Sequence, residues 1–567
     1  MARSKEGNHP FRGWSDSSSG LAARCRPAVR VANSTEWGTS GSPRREFGAR
    51  GTTGRVPGRR YAAARMPEVA PPSETGHAEA LAAIIRGMTV ALAGSLLGGG
   101  FGFLFTVVMA RMLHDRADFG LLVLGLNVLN AATSLTVFGT DVATIRYVAA
   151  APTPGAKRGA IATPLGVVLV LNAILSLAVA LLAHPLAVHV FGNAHFTNTL
   201  RALAVVLPLT VLAQMFSAGL SGLERASGEL ARKVVEQGGR IVLSPLGLAI
   251  GAGIVGAVLG MAAAAGMAAF VVGWLLWRSL PRGGRTEPLG LRRLLGFSWQ
   301  QTVAGGTVDL WLLLLATLLA RETSAAVVGA YGAALAISRL PALIYNAFTF
   351  RFSPAIARLW EEGRHDELRE LLKGVTRWVS YFAIPLHAVA IALPGPLLLL
   401  YGASYRQGAL MLAFATTGLL INALAGPVER TLIMSGRVRL EMIGTAVPAV
   451  ILTGLAFVLI PRYGLTGAAV TILLSSISTN ALKSWFVWRT MRMSTVSLSL
   501  LGPLAAAAIA SGVTVLLAHV TELDGSLPGV AALGLVLLAV YALLLVGVVG
   551  VSPRDRQALA LAVRPAR

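Results

Sequence analysis

The stretch GIVGAVLGMAAAAGMAAFVVGWLLWR (253–278) returns in altered form as GLTGAAVTILLSSISTNALKSWFVWR (464–489). Each copy opens on Gly-x-x-Gly-Ala and closes on Trp-x-x-Trp-Arg, and the offset is 211 residues both from Gly253 to Gly464 and from Trp274 to Trp485. Trp and Arg gather at membrane interfaces in any case, so the other landmarks decide. Phe191-Gly192 with Phe196 corresponds to Tyr401-Gly402 with Tyr405 at an offset near 210, and Asp118-Phe119-Gly120 to Val328-Gly329 at 209. Three landmarks in one register describe an internally duplicated membrane protein.

Composition agrees. Of 567 residues 54% are hydrophobic and only 13% charged, too little polar surface for a soluble globule of this size. An apolar run of about 20 residues spans the hydrocarbon core, and a backbone in lipid must satisfy its own hydrogen bonds, so such runs are helices. The fold class expected is an all-α integral membrane protein with about fourteen spans: 87–111, 119–140, 160–183, 200–222, 234–253, 254–276, 298–320, 325–348, 379–401, 408–433, 442–460, 464–487, 498–520 and 527–551. The duplication groups them into two pseudo-symmetric six-helix bundles, residues 66–280 and 298–490, joined by a linker at 281–297. Residues 491–567 add two helices without a counterpart and a tail.

The formal charge of +23 invites a nucleic-acid partner, but its distribution excludes one. Residues 1–65 hold thirteen Lys/Arg against four Asp/Glu, and most of the remainder lies in alternate short loops, such as Lys157 and Arg158, Arg225 to Lys233, Arg278 to Arg293, Arg437 with Arg439, and Arg489 with Arg492. The other loops carry Arg116, Arg321, Arg406, Arg462 and little else. Cytoplasmic loops retain Lys and Arg, so both termini are predicted to be cytoplasmic, in the inner cell membrane. The sole cysteine, Cys25, excludes an internal disulfide and thiol chemistry in the membrane body.

Residues 1–65, rich in Gly, Ser and Arg, show no sustained apolar period and read as a disordered basic tail. Two readings of it stand: an upstream segment outside a translation start at Met66, or an arm on anionic lipid. Residues 354–373 read as an amphipathic surface helix, with Ile356, Leu359, Trp360, Leu368, Leu371 and Leu372 on its apolar side. Glycines 94, 98, 99, 100 and 102 read as a close-approach face of the first span, and Pro208, Pro245, Pro341, Pro385, Pro427 and Pro448 as kinks.

Six spans per copy is an even number, so the copies enter the membrane in the same sense, about an axis along its normal. Parallel repeats are a transporter architecture, with the substrate path between them. Most charges inside spans lie near a cytoplasmic end, where Asp141, Arg146, Glu236, Arg240, Glu429, Arg430, Glu441 and Lys483 can snorkel or line a vestibule. Asp309 and Arg339 differ. Each lies about ten residues inside its span, which at 1.5 Å per residue is near the midplane, where a charge requires a partner or a wet cavity. Either the two form a structural ion pair, or Arg339 meets an anionic group while Asp309 holds it or exchanges a cation. Arg339 less the offset of 209 falls on Asn130, also polar and mid-span. The expected substrate-binding set is Arg339, Asp309, Asn130, Arg240, Glu236 and Arg146, with Asn127, Gln214, Gln300, Gln301, Tyr345, Asn346 and Asn422 as further polar candidates.

No lysine follows a glycine, so there is no phosphate-cradling P-loop, and HExxH and Asp-x-Asp are missing too. His184, His189 and His195 lack the spacing and carboxylate company of a zinc site. No cofactor or metal is expected, and no catalytic residue. Asp115 and Asp118 in the first outer loop keep a membrane glycosyltransferase or polymerase as a rival.

The segment from Arg111 through Tyr147, with Asp118-Phe119-Gly120 after the first span, resembles the start of oligosaccharide flippases, the Wzx-type polysaccharide transporters of the MATE-like MOP superfamily. Val328-Gly329-x-Tyr331, Ser353-Pro354 and Gly402 to Tyr405 resemble later landmarks, and the likeness covers roughly residues 80–490. It implies a V-shaped pair of lobes that moves a polyprenyl-diphosphate-linked oligosaccharide between leaflets, with membrane lipids, a polysaccharide polymerase and export proteins as partners. A cation-coupled drug exporter is the alternative, supported by Asp309 and Trp311. Of the two readings of the tail, a start at Met66 predicts that mass spectrometry of the native protein finds no peptide from residues 1–65.

Overall fold

The computed structural model describes residues 97–113, 115–225, 227–494 and 498–550. Expectations for the amino-terminal tail and for the beginning of the first span fall outside them. The described residues are helical, without a strand. In chain order the helices are α1 (Leu97–Met112), α2 (Arg116–Val137), α3 (Thr140–Ala150), α4 (Pro154–Leu181), α5 (Phe196–Gly222), α6 (Ser227–Gly247) and α7 (Gly253–Ser279). The second half follows as α8 (Leu291–Glu322), α9 (Ala325–Glu361), α10 (His365–Ala392), α11 (Ala409–Ala425), α12 (Val428–Met434) and α13 (Val438–Met491), and the last helices are α14 (Leu501–Thr521) and α15 (Leu527–Leu544).

Among the described residues ten helical stretches are long and apolar enough to cross a membrane. Two of them, Gly228–Ser279 with 52 residues and Val438–Met491 with 54, would each reach about 80 Å if straight, far beyond a hydrocarbon core of about 30 Å. They fold back on themselves instead. The reversal falls on the glycine that opens each copy of the repeated sequence: Gly253 (φ 55°, ψ −145°) and Gly464 (φ 52°, ψ −126°). Positive φ is cheap only for glycine. One turn later Gly256 and Gly467 let the arms touch, since a Cβ on either would stand 2.2 Å from a carbonyl oxygen, of Gly247 and of Leu459. The expected spans counted each arm of these hairpins separately.

Three other expectations change. Residues 354–373 are not a separate surface helix: α9 continues to Glu361, the chain turns through Gly363 (φ 72°), and α10 begins at His365. Ile356, Leu359, Leu368 and Leu372 are buried together with Val375, Val379 and Leu432, which is why these extensions pack as a hairpin rather than lie on a membrane surface. The second span ends at Phe138-Gly139, both with positive φ, and α3 restarts at a new angle. In α1, Gly98 and Gly99 face the side chains of Lys233 and Leu343, but a Cβ on Gly100 would meet nothing. That face is no continuous close-approach stripe.

The tightest crossing lies between the halves, at the end opposite the Arg-rich loops. A Cβ on Gly120 of α2 would be 1.6 Å from the Ala325 carbonyl oxygen of α9, and Gly329 and Gly332 face Phe119 and Val123 in return. Around this contact Phe119, Tyr331, Leu315, Leu319, Phe196, Leu398 and Tyr401 form one buried cluster spanning both halves. Two arginines clasp its rim. Arg111, at the end of α1, donates to the carbonyls of Leu399 and Leu400, and Arg321, at the end of α8, donates to that of His189 at 2.9 Å. Donors and acceptors are both 210 residues apart (111 and 321, 189 and 399), so the duplication repeats the clasp reciprocally.

The linker 281–290 is strapped to the first half: Arg158 donates to the carbonyls of Gly283 and Gly284, and Thr153 to Glu287 at 2.8 Å. Helices α14 and α15 pack on the outer side of α10 through Ala506, Ala507, Ala510, Leu537 and Tyr541. Gly120→Ala must push α2 off α9, an overpacking cost of about 1–3 kcal/mol. We expect it to lower the thermal unfolding midpoint of the detergent-solubilised protein, while Gly100→Ala, facing open space, leaves it unchanged.

Candidate functional site

From the glycine crossing α2 and α9 run toward the basic end, and a cavity of about 940 Å³ lies between the halves, near the top of the roughly 300–1,000 Å³ range of ligand pockets. Its walls come from α2, α3 and α5 on one side and from α8, α9, α11, α12 and α13 on the other. It extends from residues at the basic end, such as Asp141, Gln301, Glu429 and Lys483, up to Asn130, Trp311 and Leu335. Beyond these lie roughly ten residues, or about 15 Å, of packed helix at the sealed end. The cavity thus reaches one side only.

Arg339 and Asn130, paired by the repeat offset, both line it and both are exposed to it. Asp309 lines it at the same depth, since Arg339 lies fourteen residues from the start of α9 and Asp309 thirteen from the end of α8. They are not an ion pair: Asp309 accepts a hydrogen bond from the Ser134 hydroxyl across the halves. Arg339 has neither an ion pair nor a hydrogen bond among the described residues. It is a membrane-embedded guanidinium held in a polar cavity with all five donors available.

The remaining expected residues lie elsewhere. Glu236 and Arg240, four residues apart on α6, pair with each other at 2.5 Å, and Arg232 joins Glu236 at 3.1 Å and Glu229 at 2.9 Å. Glu236 is 1% exposed and Arg240 8%, buried in the first bundle and not among the residues lining the cavity. Their i, i+4 spacing lets them pair along one helix, though Arg240 Nε has no partner among the described residues. Arg146 is exposed and stacks on the Phe297 ring, 4.8 Å from its centre, where α3 meets α8. Of the other polar candidates Gln214, Gln301 and Asn422 line the cavity, with Gln214 donating to Asp141 at 3.0 Å. Asn127 bonds the Val123 carbonyl of its own helix and Tyr345 that of Gly426, both as packing groups.

The wall on α13 is polar. Ser475, Ser476, Thr479, Asn480 and Lys483 all face the cavity, at the spacing of one helix face. Lys483 lies 3.0 Å from Glu441, which the α13 hairpin brings beside it, and 3.7 Å from Glu429 of α12. Glu429, Arg430, Glu441 and Lys483 fit the vestibule read from the sequence, whereas Ser134 and the serine, threonine and asparagine of the stripe were missed. The signal for the stripe was present: polar residues at i, i+1, i+4, i+5 and i+8 in an otherwise apolar span. In the outer loop Asp115 caps α2, accepting from the Ala117 amide at 2.8 Å. Among the described residues no cluster of His, Cys, Asp and Glu could hold a metal.

Residues 84–360 match the family described as polysaccharide biosynthesis protein. No curated relative matches the chain. Among solved structures, an inward-facing multidrug resistance MATE transporter of the MOP superfamily superposes with a TM-score of 0.58 at 16% identity, over 70% of this chain and 94% of its own. The lipid II flippase MurJ in an inward closed conformation gives 0.60 at 11% identity, over 80% and 98%. A MOP superfamily transporter from Pyrococcus furiosus, described for the reverse polarity of its binding pocket, gives 0.51 at 16%, over 72% and 97%. The fold is therefore the one these structures share. The ten helices long and apolar enough to cross a membrane among the described residues agree with that fold.

The sealed end supplies a test of the clasp. In a Cys25→Ser background carrying Leu315→Cys, the paired changes Arg111→Ala and Arg321→Ala should speed labelling by an impermeant maleimide from the sealed side by about tenfold, a modest figure because solvent weakens both contacts. Either change alone should do less.

Proposed function

We propose that the protein is a flippase that carries a polyprenyl-diphosphate-linked oligosaccharide across the cytoplasmic membrane by alternating access, for cell-surface polysaccharide biosynthesis. The observation that carries this reading is Arg339, an unpaired cation at depth in a polar cavity between the lobes. A diphosphate and a hydrated glycan cannot cross hydrocarbon unless protein groups replace their water, while the prenyl tail can stay in lipid. Arginine suits the diphosphate because it remains charged and its planar fork donates two parallel hydrogen bonds.

With both termini cytoplasmic, the cavity as it stands faces the leaflet where lipid-linked glycans are assembled. Separation of α2 from α9 at Gly120 and Gly329, with closure at the basic end, would present the headgroup to the other side. The sequence holds no P-loop, so direction comes from an ion gradient or from consumption of the product outside, where a polysaccharide polymerase and export proteins would take it. Transport rather than catalysis is also the reading of Asp115, whose role is a helix cap. A cation-coupled drug exporter remains the second reading, favoured by Asp309 beside Trp311 in the cavity wall.

Arg339→Ala should abolish glycan export with protein level intact and leave the lipid-linked oligosaccharide accumulating on the cytoplasmic leaflet, as measured by lipid extraction and mass spectrometry. Asp115→Asn, which preserves the cap, should leave export unchanged. Full export by the first variant would end the assignment of Arg339, and loss in the second would favour an enzyme.

A further inference from the structure

We propose that the cavity selects lipid-linked glycans lacking acidic sugars, and that Glu441 with Asn422 forms the subsite that reads their hydroxyls. This rests on the flippase reading, in which Arg339 takes the diphosphate.

Glu441 is 4% exposed yet lines the cavity. Its Oε1 is fully engaged, accepting from Lys483 at 3.0 Å and from the Thr445 hydroxyl at 3.0 Å. Its Oε2 is buried and has no donor among the described residues. A buried carboxylate oxygen left unsatisfied is costly, and because Glu441 lines the cavity, a donor entering there that draws its side chain outward would satisfy it. A small cation is disfavoured there, because the Lys483 ammonium sits on the same carboxylate. A neutral donor carries no such penalty, and a sugar hydroxyl is one. Asn422 adds a second acceptor: its amide donates to Asn480 at 3.2 Å, Asn480 donates onward to the Ser476 carbonyl at 2.8 Å, and the Asn422 oxygen has no donor among the described residues. Two acceptors on one wall suit a polyol.

Charge selects against the acidic alternative. The lining holds Asp141, Asp309, Glu429 and Glu441 against Arg339, Arg430 and Lys483, four carboxylates to three cations. Lys483 is already neutralised by Glu441 and Glu429, Arg430 has a partner of its own, and the diphosphate occupies Arg339. A uronic or other acidic sugar would meet carboxylates with no cation left to answer it, at a dielectric where that repulsion is strong.

The test uses the purified full-length protein in lipid nanodiscs and three probes: farnesyl diphosphate, the same bearing N-acetylglucosamine, and the same bearing glucuronic acid. We expect the neutral glycan probe to bind at least about tenfold tighter than the acidic one. Glu441→Gln should weaken the neutral probe and narrow that ratio, leaving farnesyl diphosphate itself unaffected. Equal affinity for the two glycan probes would overturn the proposal, as would an unchanged neutral affinity in a folded Glu441→Gln protein. If that variant does not fold, Asn422→Ala takes its place, and the wild-type ratio decides by itself. Farnesyl diphosphate that fails to bind, or binds without regard to Arg339→Ala, would instead overturn the flippase reading.

Discussion

Two helix backbones touch at Gly120 and Ala325, and the remaining architecture follows from that contact. Lipid tails are as apolar as leucine, so helices in a membrane gain nothing from hiding apolar surface and associate by close van der Waals fit and hydrogen bonds. Glycines on both sides bring α2 and α9 together at one end, with Gly329 and Gly332 meeting Phe119 and Val123. Ten residues further along each helix, larger polar side chains, Asn130 and Arg339, are exposed to open space. One tight crossing thus creates both the seal and the cavity.

The charges obey the same economy. A buried ion costs more to desolvate than most partners return, so it is tolerated when paired and hydrogen-bonded. Glu236 with Arg240 and Glu441 with Lys483 meet the first half of that condition, the one pair along one helix and the other across a hairpin, while Arg240 Nε and Glu441 Oε2 have no hydrogen-bond partner among the described residues. Arg339 meets neither half among the described residues. The fold accommodates it by keeping it in contact with water-accessible space, and that exposure is what makes it available to an anion.

The sequence made the duplication and the transporter fold legible because both are written in long apolar runs and in glycines that only a reversal or a close approach explains. Asn130, Asp309 and Arg339 were legible because polarity deep in a span is expensive and therefore informative. What failed were judgements that depend on which way a helix face turns. Glu236 and Arg240 look like vestibule residues by depth but face their own bundle, and residues 354–373 are amphipathic as read, but their apolar side is buried in protein rather than laid on a membrane surface. Ser134 was missed because a serine is common in membrane helices, and only the α2–α8 packing sets it beside Asp309.

The two halves of the duplication are alike in some roles and unlike in others. Residues with mechanical roles are matched: Gly253 with Gly464 at the hairpins, Gly120 with Gly329 at the crossing, Arg111 with Arg321 at the rim. Of the residues that face the cavity, Asn130 and Arg339 share the offset as polar groups of different chemistry, while the stripe on α13 has no polar counterpart. At the common offset of 211, the stripe Ser475, Ser476, Thr479, Asn480 and Lys483 corresponds to Ala264, Ala265, Ala268, Ala269 and Val272, all buried in the first bundle. A hinge working between two lobes benefits from symmetry, since reciprocal contacts can break and form together. A substrate with distinct ends does not, because a site built twice would read both ends alike. The first copy retains the small residues that let α7 lie close against its neighbours, and the second carries the chemistry. On the flippase reading proposed above, the headgroup would be recognised mainly by the second half, whose α13 supplies the polar stripe.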